Sequence, residues 1–140
     1  MDCRFCNIQE EHPDRLLREG KYTFAILSDP RLMEGHILVI PKRHVEKMSQ
    51  LSREERDELL DETIKIEEKL LTKVSGIDIA QHYRPFIPEN LLKVNHLHVH
   101  IRPRELNDEL YSKVQIYEKS VFTPLTEEEI TEFKSFLSDV

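Results

Sequence analysis

The sequence predicts an α+β domain built on an antiparallel sheet, and three observations carry that expectation. Short β-branched runs recur along the chain. One long helical pattern lies between them instead of following each of them. A second capped helical pattern lies near the C-terminus. Strands joined without a helix after each one pair antiparallel, because a parallel pair needs a crossover of a dozen residues or more. At 140 residues the chain is long enough for one core and too short for two.

The elements follow in order. Residues 22–28, YTFAILS, are β-branched and aromatic enough for a strand. SDPRLMEG turns the chain, and residues 36–41, HILVIP, form an apolar run that predicts a strand buried on both faces. Ser52 and Glu55 have capping-box spacing, so a helix starts there. Leu60, Ile64 and Leu71 make one apolar stripe along it, with Leu59, Ile66 and Leu70 beside it, and Gly76 is its expected stop. IDIAQHYRPF and NHLHVHIR read as two further strands. Thr126 and Glu129 repeat the capping-box signal ahead of Ile130, Phe133 and Leu137, which predicts a last helix.

Composition narrows the function. Charged residues make up 34% and the formal net charge is −7, which argues against nucleic-acid binding by net attraction. No apolar run reaches the length of a membrane span and no secretory signal opens the chain, so a cytoplasmic location is the expectation. Cys3 and Cys6, the two cysteines, stand in Cys-x-x-Cys spacing, which suits metal ligation better than a structural disulfide.

The densest chemistry is in residues 93–105, KVNHLHVHIRPRE. His96, His98 and His100 alternate with Leu97, Val99 and Ile101. On a strand, a period of two sends the histidines to one face and the aliphatics to the other. The outer two alpha-carbons would then lie about 13 Å apart, so one ion holding all three would be strained. The run reads as divided between structure and chemistry rather than as a chance polar stripe. Lys93, Arg102 and Arg104 surround it with no carboxylate among them, a local reversal of charge that marks an anion site.

HLHVHIRPR, with EGHILVIPKRH upstream and CRFC near the start, resembles the histidine triad (HIT) superfamily of nucleotide hydrolases and transferases. The resemblance spans roughly residues 3–104. It implies a sheet of about five strands packed with a long helix over residues 1–104; residues 105–140 lie outside it and read as a largely helical extension packed on the same domain. It implies that His98 is a nucleophile attacking an α-phosphate, with His36 and His100 as supporting partners. A neutral imidazole is a competent nucleophile at pH 7, and two more can donate to phosphate oxygens as charge develops. The branch that transfers uridylyl groups between sugars replaces the third histidine. This chain keeps His100, so hydrolysis of dinucleoside polyphosphates or nucleoside phosphoramidates is the expectation.

In a subset of the family an N-terminal Cys-x-x-Cys shares a structural zinc with the histidine after IPK and the first histidine of the triad. Those positions here are His44 and His96, beside Cys3 and Cys6. The resemblance further implies a homodimer with the long helix and a sheet edge at its interface. The chain departs from the family pattern before the triad: the asparagine-glycine loop and the Gly-Gln or Gly-Ser segment are missing, and YRPFIPENLLKVN stands instead. Lys93 and Arg84 could replace the neutral phosphate donors with charge, and Ser28 and Asp29 lie where the ribose contact is expected. Two rivals remain. One is a nucleotide-binding module without turnover. The other is a cupin-like metal enzyme using His98, His100 and Glu105, although such motifs rely on flanking glycine turns that are absent here.

Overall fold

The computed structural model describes residues 3–140. Its five strands are β1 (Leu16–Glu19), β2 (Thr23–Leu27), β3 (Ile37–Pro41), β4 (Gly76–Gln81) and β5 (Val99–Arg104). They form one antiparallel sheet in the order β1-β2-β3-β5-β4. The helices are α1 (Ile8–Glu11), α2 (Arg53–Leu70), α3 (Glu109–Lys113) and α4 (Glu127–Phe136). The chain divides into two compact units, Met1–Asp108 and Glu109–Val140. The sheet and α2 belong to the first, and α3 and α4 to the second. No helix among the described residues is long and apolar enough to cross a membrane.

The sheet separates two apolar layers. Ala25, Val39, Val99 and Ile101 pack with Leu59 and Ile66 of α2 on one face. Phe24, Ile26, Leu38 and Ile40 meet Phe5, Ile8 and Val94 on the other. All of β3 is buried, as its unbroken apolar run requires. Leu97, Val99 and Ile101 all join the α2 layer, so the alternation in the histidine run sorts by face as expected.

Two caps hold the long elements. The Ser52 hydroxyl accepts from the Glu55 amide at 3.1 Å while the Glu55 carboxylate accepts from the Ser52 amide at 2.8 Å. At α4, the Thr126 hydroxyl accepts from the Glu129 amide at 3.2 Å. Glu58 ties α2 to the β1–β2 turn by accepting from the amides of Lys21 and Tyr22 and from the Thr23 hydroxyl at 2.6–3.1 Å.

Four expectations need correction. β1 was not anticipated, because only Leu16 of its four residues is even partly buried and no alternation shows. Helix α2 stops at Leu70, before a turn, and Gly76 instead opens β4 opposite Arg104. The buried face of α2 is Glu55, Leu59, Thr63 and Ile66, whereas Leu60, Ile64 and Leu71 are exposed. Glu55 can lie inward because Arg43 pairs with it at 2.7 Å, and Thr63 because its hydroxyl donates to the Leu59 carbonyl. Finally, β5 begins at Val99, so His96 and His98 stand in the irregular segment ahead of the strand.

Candidate active site and metal centre

The histidines lie on the face of the sheet opposite α2. Leu38 pairs with His100 across β3 and β5, and Leu38 belongs to the layer away from the helix. Gly35 brings His36 to the same place. Its φ of 81° is a left-handed conformation that favours glycine, and a Cβ there would meet Pro103 at 3.1 Å. His36 is buried beside His100.

A chain of hydrogen bonds fixes how these rings are protonated. The Leu32 amide donates to His36 Nδ1 at 3.1 Å, so the proton of a neutral His36 sits on Nε2. That Nε2–H donates to His100 Nδ1 at 2.9 Å, which leaves the His100 proton on its own Nε2. His98 has the opposite arrangement: its Nδ1–H donates to the His96 carbonyl at 2.7 Å, leaving a lone pair on Nε2. Phe5 stands edge-on against His98 with ring centroids 5.1 Å apart. A base with a free lone pair thus sits beside an imidazole whose outer nitrogen is a donor, with ring centroids 4.8 Å apart.

Electrostatics keep the set neutral. Burial, with the neighbouring charge of Arg102 and with His98, pushes His36 down to about 4. Burial, with His98, Arg102 and His36, pushes His100 down to about 2. His98 is lowered mainly by burial, against the opposing hydrogen bond to His96.

These residues line a cavity of about 460 Å³. Its wall includes His36, His98, His100 and Arg102, with Ser28 and Asp29 on the β2–β3 loop. Arg4, Arg15 and Arg31 complete a cationic lining, and each of the first two is anchored. Arg4 donates to the carbonyls of Asn90 and Leu91, and Arg15 to that of Leu27.

Behind the triad lies a second cluster. Sulfur and nitrogen atoms of Cys3, Cys6, His44 and His96 all lie within 4.8 Å of one another. His96 Nε2–H donates to the Pro41 carbonyl at 2.8 Å, which leaves Nδ1 free, 3.3 Å from Cys3 Sγ. His44 Nδ1 is 3.4 Å from Cys6 Sγ. Two sulfurs and two imidazole nitrogens, with one ring already oriented by a carbonyl, are the donor set and outer support of a closed tetrahedral metal site. The residues fit a metal.

A family model described as HIT domain matches residues 9–107. The chain belongs to the HIT domain family. It is 31% identical to an adenosine 5'-monophosphoramidase of Saccharomyces cerevisiae over 105 residues, covering 73% of this chain and 62% of that one. It is 30% identical to a bifunctional bis(5'-adenosyl)-triphosphatase/adenylylsulfatase of Arabidopsis thaliana, covering 71% of this chain and 57% of the relative. The chain therefore spans roughly 60% of the length of these two relatives. A crystal structure of a HIT family member from Bacillus subtilis superposes with a TM-score of 0.78 at 21% identity, over 99% of this chain and 96% of that one. That likeness shows the fold.

Within this HIT chain the expected site residues separate into groups. His36, His98, His100, Ser28 and Asp29 meet at the cavity, and Cys3, Cys6, His44 and His96 meet at the metal cluster. Lys93 and Arg84 do not line the cavity: the Lys93 ammonium bonds the Asn95 side-chain carbonyl, and Arg84 is exposed. Glu105 is engaged elsewhere, accepting from the Ser75 amide and hydroxyl at 2.8 and 2.5 Å, which removes the third ligand a cupin reading needs. Arg104 is taken up by Asp78 and Asp108. Of the three cations flanking the triad, Arg102 is the one that reaches the cavity. The sequence signal for Arg102 was its place two residues beyond His100, on the same face.

Proposed function

We propose that this HIT protein is a nucleotide hydrolase that cleaves at the α-phosphate through a nucleotidyl-histidine on His98. The observation that carries the reading is the opposed pair of tautomers. His98 offers a lone pair at Nε2, and His100 offers an N–H beside it. In the first step His98 Nε2 forms a bond to phosphorus, and the bond from phosphorus to the leaving group breaks with its electron pair. The proton stays on His98 Nδ1, hydrogen-bonded to the His96 carbonyl, which steadies the positive charge that develops on the ring. Water then attacks the same phosphorus, the N–P bond breaks, and a nucleoside monophosphate and a proton are released. His100 Nε2–H donates to the oxygens that gather charge, and His36 acts through His100 by holding its tautomer. The relatives named as a phosphoramidase and a triphosphatase support a nucleotide substrate.

Zinc is the metal that suits Cys3, Cys6, His44 and His96, and when bound it would pin the N-terminal segment to the start of the triad. Exposed Leu60 and Ile64 on α2, and Ile79 on the edge strand β4, support a homodimer through the helix and the sheet edge. Thiols committed to a metal suit a reducing cytoplasm.

The test is the adduct itself. Rapid quenching in base, which spares phosphoramidates, followed by peptide mass analysis should place the nucleotide on the peptide containing His98. His98→Ala should remove adduct and turnover while metal content is unchanged. An adduct on another residue, or near wild-type turnover in His98→Ala, would overturn the assignment.

A further inference from the structure

Arg102 presents a guanidinium in the wrong company for a structural residue. Its Nε is buried and, among the described residues, has no hydrogen-bond partner. Its cross-strand neighbour Asp78, the obvious counter-charge, is held by Arg104 at 2.5 Å. A buried cationic donor left unpaired is costly, and in native structures such groups are completed by a ligand, an ion or ordered water. Arg102 shares the cavity wall with His36, His98 and His100, which burial holds neutral, and the carboxylates on that wall, Glu11 and Asp29, form no ion pair with it among the described residues.

Its place in the row says which part of a ligand it meets. His98, His100 and Arg102 follow at two-residue steps on one face, about 7 Å per step between alpha-carbons. His36 lies beside the Arg102 end, because Ile37 pairs with Ile101. In-line displacement puts the leaving atom on the side of phosphorus away from the nucleophile. With His98 at one end of the row, the far side is the end occupied by His100, His36 and Arg102.

We propose that Arg102 is the residue that selects the leaving group: it binds the phosphate next to the scissile one, so the chain prefers nucleoside polyphosphates over substrates that expel a neutral amine. The inference rests on the hydrolase reading above. As the His98 Nε2–P bond forms and the P–O bond breaks, the electron pair stays on the departing oxygen, which leaves as a polyphosphate anion and needs no proton. Arg102 offsets that charge directly. An amine leaving group must instead take up a proton, a service that a guanidinium does not provide.

The experiment compares wild type, Arg102→Gln and Arg102→Lys on diadenosine tetraphosphate and on adenosine 5'-phosphoramidate. Arg102→Gln should lose on the order of 10- to 100-fold in kcat/KM on the tetraphosphate and several-fold less on the phosphoramidate, with Arg102→Lys between. Equal losses on both substrates would overturn the proposal. Calorimetry with α,β-methylene-ADP and with AMP supplies a second reading that needs no turnover. Wild type should prefer the diphosphate and Arg102→Gln should not; a preference that survives the substitution counts against Arg102. If wild type turned over neither substrate yet showed the Arg102-dependent preference, the hydrolase reading would fail while the anion contact stood.

Discussion

Substituting His36 isolates the hydrogen-bond relay from the shape of the site. His36 is buried, accepts from the Leu32 amide and donates to His100 Nδ1, at 3.1 and 2.9 Å. His36→Leu keeps most of the volume and removes both bonds, so a buried amide is orphaned at about 1–3 kcal/mol. The same change removes the group that holds the His100 proton on Nε2. Losing that bias frees His100 to donate from the wrong nitrogen, which at about 1–3 kcal/mol of transition-state stabilisation is roughly a 5- to 150-fold loss in kcat. His36→Gln retains one acceptor and one donor and should recover much of the rate. Single-turnover kinetics on diadenosine tetraphosphate would measure the step, with peptide mapping to check that the adduct stays on His98. The reasoning is refuted if leucine and glutamine at position 36 give the same rate, since the relay would then contribute nothing beyond filling space.

Cys6→Ala should abolish retention of about one zinc per chain after desalting and lower the melting temperature, as closed four-ligand sites predict; full stability without metal would refute it. In zinc-loaded protein, stability should fall between pH 7 and pH 5. The unfolded chain protonates His36 and His100 near 6.5, whereas the folded values are about 4 and about 2. The unfolded state thus binds more protons as pH drops, and each residue forfeits about 2 kcal/mol by pH 5. Urea midpoints that match at the two pH values would exclude this account. Ile79→Lys on the edge of β4 should shift the protein toward monomer in light scattering, and an unchanged mass would remove this edge from the interface.

Which of the site residues come together was largely legible in the sequence, and the reasons are local. A run of alternating histidine and aliphatic residues sorts the two kinds onto opposite faces, and both helix caps are written in four residues each. The three flanking cations were visible too, but their ranking was not. Arg104 and Arg102 share a face of β5, and the pairing of Arg104 with Asp78 and Asp108, 26 residues upstream and four downstream, decides which of them is free to meet a ligand. Lys93 is diverted by Asn95, a polar neighbour whose significance depends on the bend at residues 95–96. The α2 stripe misled for a related reason: Glu55 and Thr63 are buried by partners that hydrophobicity alone does not reveal.

The two sites meet at a single residue, and the connection runs in one direction. His96 uses Nε2 on the Pro41 carbonyl, turns Nδ1 toward Cys3 and Cys6, and lends its backbone carbonyl to His98 Nδ1. The proposed metal tetrad therefore holds the acceptor that fixes the tautomer of His98, two residues before it. Release of the tetrad should loosen the segment ahead of β5 and with it the bond that leaves the His98 lone pair on Nε2. Removal of the His98 ring, by contrast, takes nothing from the tetrad, because none of its four ligands is oriented by that ring. Damage at the metal cluster should thus reach catalysis through His96, while damage at His98 should stop there. With a short irregular lead-in to β5, that arrangement would give the cysteines near the start of the chain a stake in the chemistry proposed for His98, some 90 residues later.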